Sequence, residues 1–158
     1  MSHIVIRFAT REDSELLATL IRSFADFVSD SCVITPEAIN EYLFGVRPTA
    51  EALIAEYDGK AEGFAIFFPT FSTFLGRPSL YLEDLYVNQD ARGKGIGLAL
   101  LLYLAELVLE RGYCRMDWAV LDWNTSAAEF YNRLGAKVID EYKIHRLTED
   151  AILNLTRK

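Results

Sequence analysis

The spacing of hydrophobic positions near the start of the chain changes from a strand pattern to a helix pattern. Residues 4–8 are rich in β-branched side chains and predict a first strand. After it, Thr10-Arg11-Glu12-Asp13 has the Thr-x-x-acid form of a helix start. The apolar residues that follow recur at helical spacing, at Leu16, Leu17, Leu20, Ile21 and Phe24. We therefore expect a helix that ends near Ser29.

A second, shorter helix is predicted from Thr35, because Thr35-Pro36 offers a cap and a proline for the first helical position. It should end at about Phe44, before Gly45. Two apolar runs follow, residues 52–57 and 61–68. They are joined by Asp58-Gly59, a strong signal for a hairpin turn between antiparallel strands.

The second half of the chain predicts a strand–helix–strand unit and a closing region. Residues 80–87 form a strand, a glycine-rich turn follows, a long helix ends before Gly112, and another strand lies near 116–121. A helix from Ser126 to about Leu134, strands at 137–142 and 144–147 and a helix from Thr148 should close the fold. No repeat or linker interrupts the pattern, so we expect one mixed α/β domain over residues 1–158.

Composition narrows the classes of partner. The chain has 158 residues and a formal net charge of -7, which argues against nucleic acid and favours a cationic small molecule. No segment is long and apolar enough for a membrane span, and the first residues do not form a signal peptide pattern. Cys32 and Cys114 form no CxxC or Cys/His cluster, so we expect small buried hydrophobes, no metal site and a cytoplasmic protein.

The glycine-rich turn is the strongest chemical signal. Gly93, Gly95 and Gly97 stand between a strand and a helix, where unpaired N–H groups and the helix dipole favour an anion such as phosphate. A plain connector that needs glycine for positive φ is the alternative. A dinucleotide fingerprint needs a glycine where Leu98 stands, and a Walker loop needs Ser or Thr after Lys94. Both of those motifs are therefore disfavoured.

The loop Arg92-Gly93-Lys94-Gly95-Ile96-Gly97 resembles the Arg/Gln-x-x-Gly-x-Gly/Ala signature of the GNAT superfamily. Residues 81–87, 119–124 and 130–136 resemble its diamine (spermidine/spermine) and thialysine N-acetyltransferase branch. The resemblance implies a GNAT fold, with a central, mixed, mostly antiparallel twisted sheet of about seven strands flanked by helices. It also implies a homodimer and the direct transfer of acetyl from acetyl-CoA to a primary amine of a diamine, polyamine or thialysine-like amino acid. A protein amine, or a non-catalytic acyl-CoA-binding regulator, are the alternatives.

The resemblance also implies roles for single residues. Glu83 would be the base that takes the amine proton, directly or through water, and Tyr131 the acid that protonates the leaving thiolate, although Tyr131 has a core aromatic as its alternative. Pantetheine would lie beside residues 83–87 and use the amides of Leu85 and Val87. The pyrophosphate would lie on Arg92, Gly93, Lys94, Gly95, Ile96, Gly97 and Leu98.

The acceptor is expected at a second group of residues. Asp84 would hold the cationic amine, helped by Asp26, Asp30 and Phe74. The family usually has Trp where Phe74 stands. Asp26 and Asp30 stand in a stretch with fewer acids than the diamine enzymes have, which suits a shorter or less charged acceptor. Asn124 is expected to bind the cofactor, with a simple helix cap as the alternative.

Overall fold

The computed structural model describes residues 3–157, and the chain forms two compact units, Met1–Ala119 and Val120–Lys158. The single domain expected over residues 1–158 stays a prediction. The helices and strands of the first unit are β1 (Ile4–Phe8), α1 (Ser14–Val28), α2 (Pro36–Tyr42), β2 (Glu51–Tyr57), β3 (Lys60–Ser72), β4 (Arg77–Val87), α3 (Ile96–Glu110) and β5 (Met116–Trp118). The second unit contributes α4 (Thr125–Arg133) and α5 (Glu149–Thr156).

The strands of the first unit form one sheet in the order β1-β2-β3-β4-β5. Neighbours from β1 to β4 are antiparallel, and β4 and β5 are parallel. Asp58 and Gly59 form the hairpin turn, with φ of 50° and 82°, the left-handed backbone that such a tight turn requires. The mixed α/β fold, with early antiparallel strands and a parallel pair around the long helix, is confirmed.

The starts of the first two helices follow from local side-chain bonds. Thr10 and Asp13 form the predicted capping box, here on a short 3-10 turn that leads into α1. The hydroxyl oxygen of Thr35 accepts a hydrogen bond from the Ala38 amide at 3.1 Å and caps α2. Each cap satisfies amides that have no partner within the helix, so both starts are encoded by a few neighbouring residues.

Apolar faces of the helices build the core against the sheet. Leu17, Ala18 and Leu20 of α1 pack with Phe64 of β3 and Tyr86 of β4 in one buried cluster. The helix α3 buries a second set, Ile96, Leu100 and Leu104. The sheet is thus fixed by helix packing at the level of β3 and β4, the two strands that carry the candidate site.

Five strands lie within residues 3–157, fewer than the roughly seven expected. Residues 137–142 and 144–147 do not form strands, and β5 ends at Trp118 rather than near residue 121. Their pattern of β-branched and aromatic residues suits a strand, but the apolar side chains that should be covered are exposed: Val138, Ile139, Tyr142, Ile144 and Leu147. A strand pattern without burial or a ladder partner does not form a strand.

The cysteines depart from the expectation of two buried hydrophobes, because Cys32 is exposed and Cys114 is half-buried. Cys32 lies in an irregular segment between α1 and α2, where a local apolar neighbourhood does not produce burial. No helix within residues 3–157 has both the length and the apolar character to cross a bilayer. The cytoplasmic location stays a prediction.

Candidate active site

The glycine-rich loop connects the end of β4 to the start of α3. Gly93 and Gly95 have φ of 75° and 85°, a region that favours glycine. Gly97 lies inside the first turn of α3 and its φ is not positive. The Ala99 amide donates the first helical hydrogen bond to the Gly95 oxygen at 3.0 Å. The amides of residues 96–98 therefore have no acceptor within the described residues, as is usual at a helix start.

The two basic residues of the loop differ in their surroundings. The Arg92 guanidinium donates from Nε to the Val87 oxygen at 3.0 Å and lies 4.2 Å from the centre of the Phe27 ring. Lys94 has its ammonium 4.8 Å from the centre of the Tyr57 ring. Arg92 thus ties the loop to β4 and α1, a role that the sequence did not indicate. Lys94 is an exposed cation between the exposed glycines Gly93 and Gly95.

A β-bulge interrupts β4 just before the loop. Ile66 pairs with Asp84 and Phe67 with Leu82, so Glu83 is the extra residue that has no partner on β3. The strand β5 pairs with β4 only over Leu80 to Leu82. From residue 83 to residue 87, that edge of β4 has no partner strand within the described residues. A bulge bends a strand and increases its twist, which opens the edge of the sheet at this point.

Backbone alternation tells which amides face the open edge. The Asn88 amide donates to the Glu62 oxygen on β3 at 2.8 Å. Since successive residues of a strand direct their N–H groups to opposite edges, the amides of Leu85 and Val87 are directed away from β3. These are the two amides that were expected to serve pantetheine. After Val87 the chain passes through Asn88 and a short 3-10 turn, Gln89–Ala91, into the glycine loop.

Two adjacent carboxylates at the bulge differ in burial. Glu83 is exposed, whereas Asp84 is half-buried. Burial, with a smaller contribution from the negative charge of Glu83, raises the pKa of Asp84 to about 6. No hydrogen bond or ion pair of the Asp84 carboxylate is present within residues 3–157. A half-buried carboxylate without a partner is costly, which is typical of functional sites.

Two further residues belong to this acidic group and were missed in the sequence. Tyr81 of β4 is opposite Asp117 of β5 and stacks on Phe68 with 5.3 Å between ring centres. Burial raises the pKa of the Tyr81 phenol, and the charges of Glu83, Asp117 and Asp84 raise it further. The group combines carboxylates with aromatic rings, which is the chemistry that holds an ammonium ion. No local pattern marks Asp117, because its position depends on the register between β4 and β5.

The other expected acceptor residues lie outside this group. Asp26 and Asp30 are exposed at the C-terminal end of α1, and Asp30 accepts a hydrogen bond from the Ser31 amide at 2.8 Å. Neither of these two aspartates contributes to the raised pKa of Asp84. Phe74 is 96 % exposed in the turn between β3 and β4. In the structure these three residues are therefore not joined to the carboxylates of β4, and their acceptor role stays a prediction.

The second unit carries Asn124 and Tyr131. The Asn124 side chain accepts a hydrogen bond from the Ala127 amide at 3.3 Å and caps α4, as the cap alternative expected. Tyr131 is half-buried, with its ring 5.4 Å from that of Phe130, and its catalytic role stays a prediction. Burial raises the pKa of the Tyr131 phenol. A raised pKa keeps this phenol protonated at neutral pH, as a proton donor must be.

The comparisons with known proteins identify the family. Residues 15–136 match the model of the acetyltransferase (GNAT) family. The chain belongs to the GNAT acetyltransferases. The thialysine N-epsilon-acetyltransferase of Bos taurus is 35% identical over 151 residues, which cover 89% of this chain and 88% of the relative.

Solved structures agree with that assignment. An integron cassette protein from the mobile metagenome of V. cholerae superposes with a TM-score of 0.82, at 25% identity and 98% coverage of both chains. A ribosomal-protein-alanine N-acetyltransferase from Brucella melitensis biovar Abortus 2308 gives a TM-score of 0.78 at 26% identity, covering 92% of this chain and 100% of that one. The chain is therefore an acyltransferase of the GNAT fold, a family that uses acetyl-CoA as co-substrate.

Proposed function

We propose that this GNAT protein transfers the acetyl group of acetyl-CoA directly to a primary amine of a small cationic acceptor, a diamine, a polyamine or a thialysine-like amino acid. The observation that carries the proposal is the half-buried carboxylate of Asp84 beside Glu83, at the open edge of β4. Within residues 3–157 it has no hydrogen-bond or ion-pair partner. A cationic acceptor would supply the partner that Asp84 lacks. The similarity to a thialysine N-epsilon-acetyltransferase supports the same class of acceptor.

The acetyl-CoA part of the proposal rests on the strand and loop that follow Asp84. Pantetheine would hydrogen-bond the outward amides of Leu85 and Val87, and the pyrophosphate would accept bonds from the amides of residues 93–98, with Arg92 and Lys94 adding positive charge. The position of Gly97 supports this, because a helical backbone does not itself require glycine. A glycine there keeps the first turn open to a phosphate oxygen.

The chemistry requires one bond to form, one to break and two proton transfers. The neutral amine nitrogen attacks the thioester carbonyl carbon, the carbon–sulfur bond breaks, and CoA leaves as a thiolate. Glu83 would take the proton that the amine loses, directly or through water, and the Tyr131 hydroxyl would give a proton to the thiolate sulfur. Asp84, ionised above its pKa of about 6, would hold the positive charge of the acceptor.

The first experiment compares matched acceptors in an assay of CoA thiol release. 1,4-Diaminobutane and 4-amino-1-butanol have the same chain length, but only the diamine carries a second ammonium group. We expect the purified protein to release thiol with the diamine, with spermidine and with thialysine, and to have a much higher KM for the amino alcohol. Preference for a peptide with a free N-terminus would favour a protein amine instead. Binding of acetyl-CoA without release with any amine would favour the regulator.

The role of Tyr131 is tested by Tyr131→Phe, which keeps the ring and removes the hydroxyl. We expect acetyl-CoA affinity to change little and kcat to fall by roughly 10²- to 10⁴-fold, the usual contribution of a positioned general acid. Phe130→Leu is the matched control, since it alters the neighbouring ring without touching the hydroxyl. Full kcat in Tyr131→Phe would mean that another group or solvent protonates the thiolate.

A homodimer is a further part of the proposal. It is supported by an apolar stripe on the exposed side of α3, formed by Leu98, Leu102 and Leu109, residues spaced so that they share a helix face. We expect light scattering after size exclusion to give the mass of two chains. Leu102→Glu, which places a charge on the stripe, should shift the mass toward one chain, and an unchanged dimer would show that the interface is elsewhere.

A further inference from the structure

A second β-bulge lies at the other end of the site, on β3. Ala55 of β2 pairs with Gly63 and Glu56 pairs with Ala61, so Glu62 is the extra residue between them. Bulges re-aim a side chain out of the regular alternation of a strand. Glu62 is 9 % exposed, which is unusual for a carboxylate unless it is paired. The bulge therefore places a buried charge close to the beginning of the glycine loop.

Glu62 is bonded at both its side chain and its backbone to the residue that begins the loop. The Asn88 side-chain amide donates to the Glu62 carboxylate at 2.9 Å. The Asn88 backbone amide donates to the Glu62 carbonyl oxygen at 2.8 Å. The other carboxylate oxygen pairs with the Lys60 ammonium at 2.7 Å. These bonds lower the pKa of Glu62, so it stays ionised at neutral pH.

Asn88 transmits this anchoring to the glycines. The Ala91 amide donates to the Asn88 oxygen at 2.9 Å, and the Arg92 amide donates to the Gln89 oxygen at 3.2 Å. Lys94 is close enough for its charge to lower the pKa of Glu62 as well. The short turn from Asn88 to Arg92 is thus held at its first residue by Glu62, and the glycines follow directly.

We infer that Glu62 is a positioning residue for the binding of acetyl-CoA, which fixes the glycine loop through Asn88 so that its amides meet the pyrophosphate. The inference rests on the proposed function. Donor groups that must converge on one anion lose affinity when their backbone is free to move. Glu62 does not touch the acetyl group or the amine, so its contribution belongs to binding of the donor and not to the chemical step.

The experiment measures the dissociation constants of acetyl-CoA and of S-acetyl-pantetheine, which lacks the pyrophosphate, by isothermal titration calorimetry. Glu62→Ala and Asn88→Ala should each raise the dissociation constant of acetyl-CoA by about tenfold, the equivalent of one charged hydrogen bond. The dissociation constant of S-acetyl-pantetheine should not change. The double variant should bind acetyl-CoA no more weakly than the weaker-binding single variant, because the two substitutions remove the same interaction. Glu62→Gln keeps an acceptor for Asn88 and should restore most of the affinity.

Glu51→Ala is the matched control. Glu51, on β2 of the same sheet, also pairs with a cation, Arg111 at the end of α3, at 2.6 and 2.9 Å. Within residues 3–157 it has no hydrogen bond or ion pair with the glycine loop. Its removal should leave both dissociation constants unchanged. An equal loss of affinity for acetyl-CoA and for S-acetyl-pantetheine would overturn the positioning role of Glu62. Additive losses of affinity in the double variant would overturn it as well. Wild-type protein that binds no acetyl-CoA would overturn the proposed function itself, whereas wild-type binding with an unaffected Glu62→Ala would overturn the inference alone.

Discussion

Two aspartates of the first unit have opposite environments. Asp13, at the start of α1, accepts two hydrogen bonds from the Arg7 guanidinium, at 2.8 and 2.9 Å, and one from the Thr10 amide at 2.7 Å. The bonds from Arg7 lower its pKa to about 2. Asp84, on β4, is half-buried without such a partner, and burial raises its pKa to about 6. The fold therefore stabilises the ionised form of Asp13 and destabilises the ionised form of Asp84.

The difference is the one expected between a structural carboxylate and the acceptor-binding carboxylate that we propose. Arg7 of β1 pairs with Asp13 at the start of α1 and with Glu56 of β2, so Asp13 helps Arg7 to hold two strands and a helix together. Asp84 contributes nothing comparable to folding. A protein keeps such an unfavourable group where a ligand will later pair with it, which is why activity and stability often oppose each other at a site. We therefore expect substitutions at the two positions to have opposite effects.

The largest expected effect is on activity. Asp84→Asn keeps the shape of the side chain and removes its charge, so kcat/KM for 1,4-diaminobutane should fall by roughly 10²- to 10³-fold, as for the loss of one partner of a desolvated charge pair. The fall should lie mainly in KM, and it should be small for 4-amino-1-butanol. Asp13→Asn, assayed per folded molecule, should keep wild-type kinetics. Equal losses for the two acceptors would make Asp84 structural.

The next effect is a gain of stability in Asp84→Asn. Because the folded-state pKa of Asp84 is raised from 3.8 to about 6, ionisation above pH 6 costs the folded state as much as about 3 kcal/mol. Removing the charge should raise the free energy of unfolding at pH 8, measured by urea denaturation without ligand. Asp117→Asn, at an exposed ion pair with Arg115, should change it little. A loss of stability in Asp84→Asn would contradict the absence of a partner.

Removing the charge of Asp13 should lower the free energy of unfolding, in contrast to Asp84, and the effect should depend on pH in a lower range. Its folded-state pKa is lowered from 3.8 to about 2, so its contribution is present above pH 4 and is lost as the pH falls toward 2. Asp13→Asn should lower the free energy of unfolding at pH 7 by about 1 kcal/mol, less than the pKa shift alone implies, because the Arg7 side chain is 36% exposed and water screens the pair. Acid unfolding followed by circular dichroism should show a smaller difference between variant and wild type at pH 2. A constant difference across that range would exclude the ion pair as its cause.

The smallest effect is expected at the other partner of Arg7. Glu56 accepts from the Arg7 Nε at 2.9 Å, but both side chains are partly exposed. Exposed ion pairs contribute little because water screens them. Glu56→Gln should therefore cost only about 0.5 kcal/mol in the same urea experiment, and Asp13 should keep its two bonds. A cost as large as that of Asp13→Asn would show that the three residues act as one network.

Features encoded by neighbouring residues were predictable from the sequence. The Asp58-Gly59 turn, the capping box of Thr10 and Asp13 and the cap at Thr35 each depend on a few adjacent side chains. The glycine loop was likewise recognisable by its place between a strand and a helix. The family followed from those residues and their flanks, and the comparison with the family model confirms it.

Features that depend on register were not predictable. The bulges at Glu62 and Glu83 arise from how three strands align, and no local pattern signals an extra residue. Asp117 approaches Tyr81 only through the pairing of β4 with β5. Residues 137–147 show the opposite error, because a good strand pattern does not reveal whether a partner strand exists. A candidate site could therefore be proposed from the sequence, but the burial that raises the pKa of Asp84 could not be predicted.

The central claim, that Asp84 must be ionised to hold a cationic acceptor, is tested most directly by the pH dependence of kcat/KM for 1,4-diaminobutane. This parameter reports ionisations of the free enzyme and of the free substrate, and the neutral fraction of the amine also falls as the pH falls. The ratio of kcat/KM in the wild type to kcat/KM in Asp84→Asn removes that contribution, because both proteins use the same amine. The ratio should be constant well above pH 6 and should fall by up to tenfold per pH unit below it, because protonated Asp84 no longer attracts the ammonium group. A ratio that stays constant through pH 6 would assign any ionisation there to another group and contradict the account.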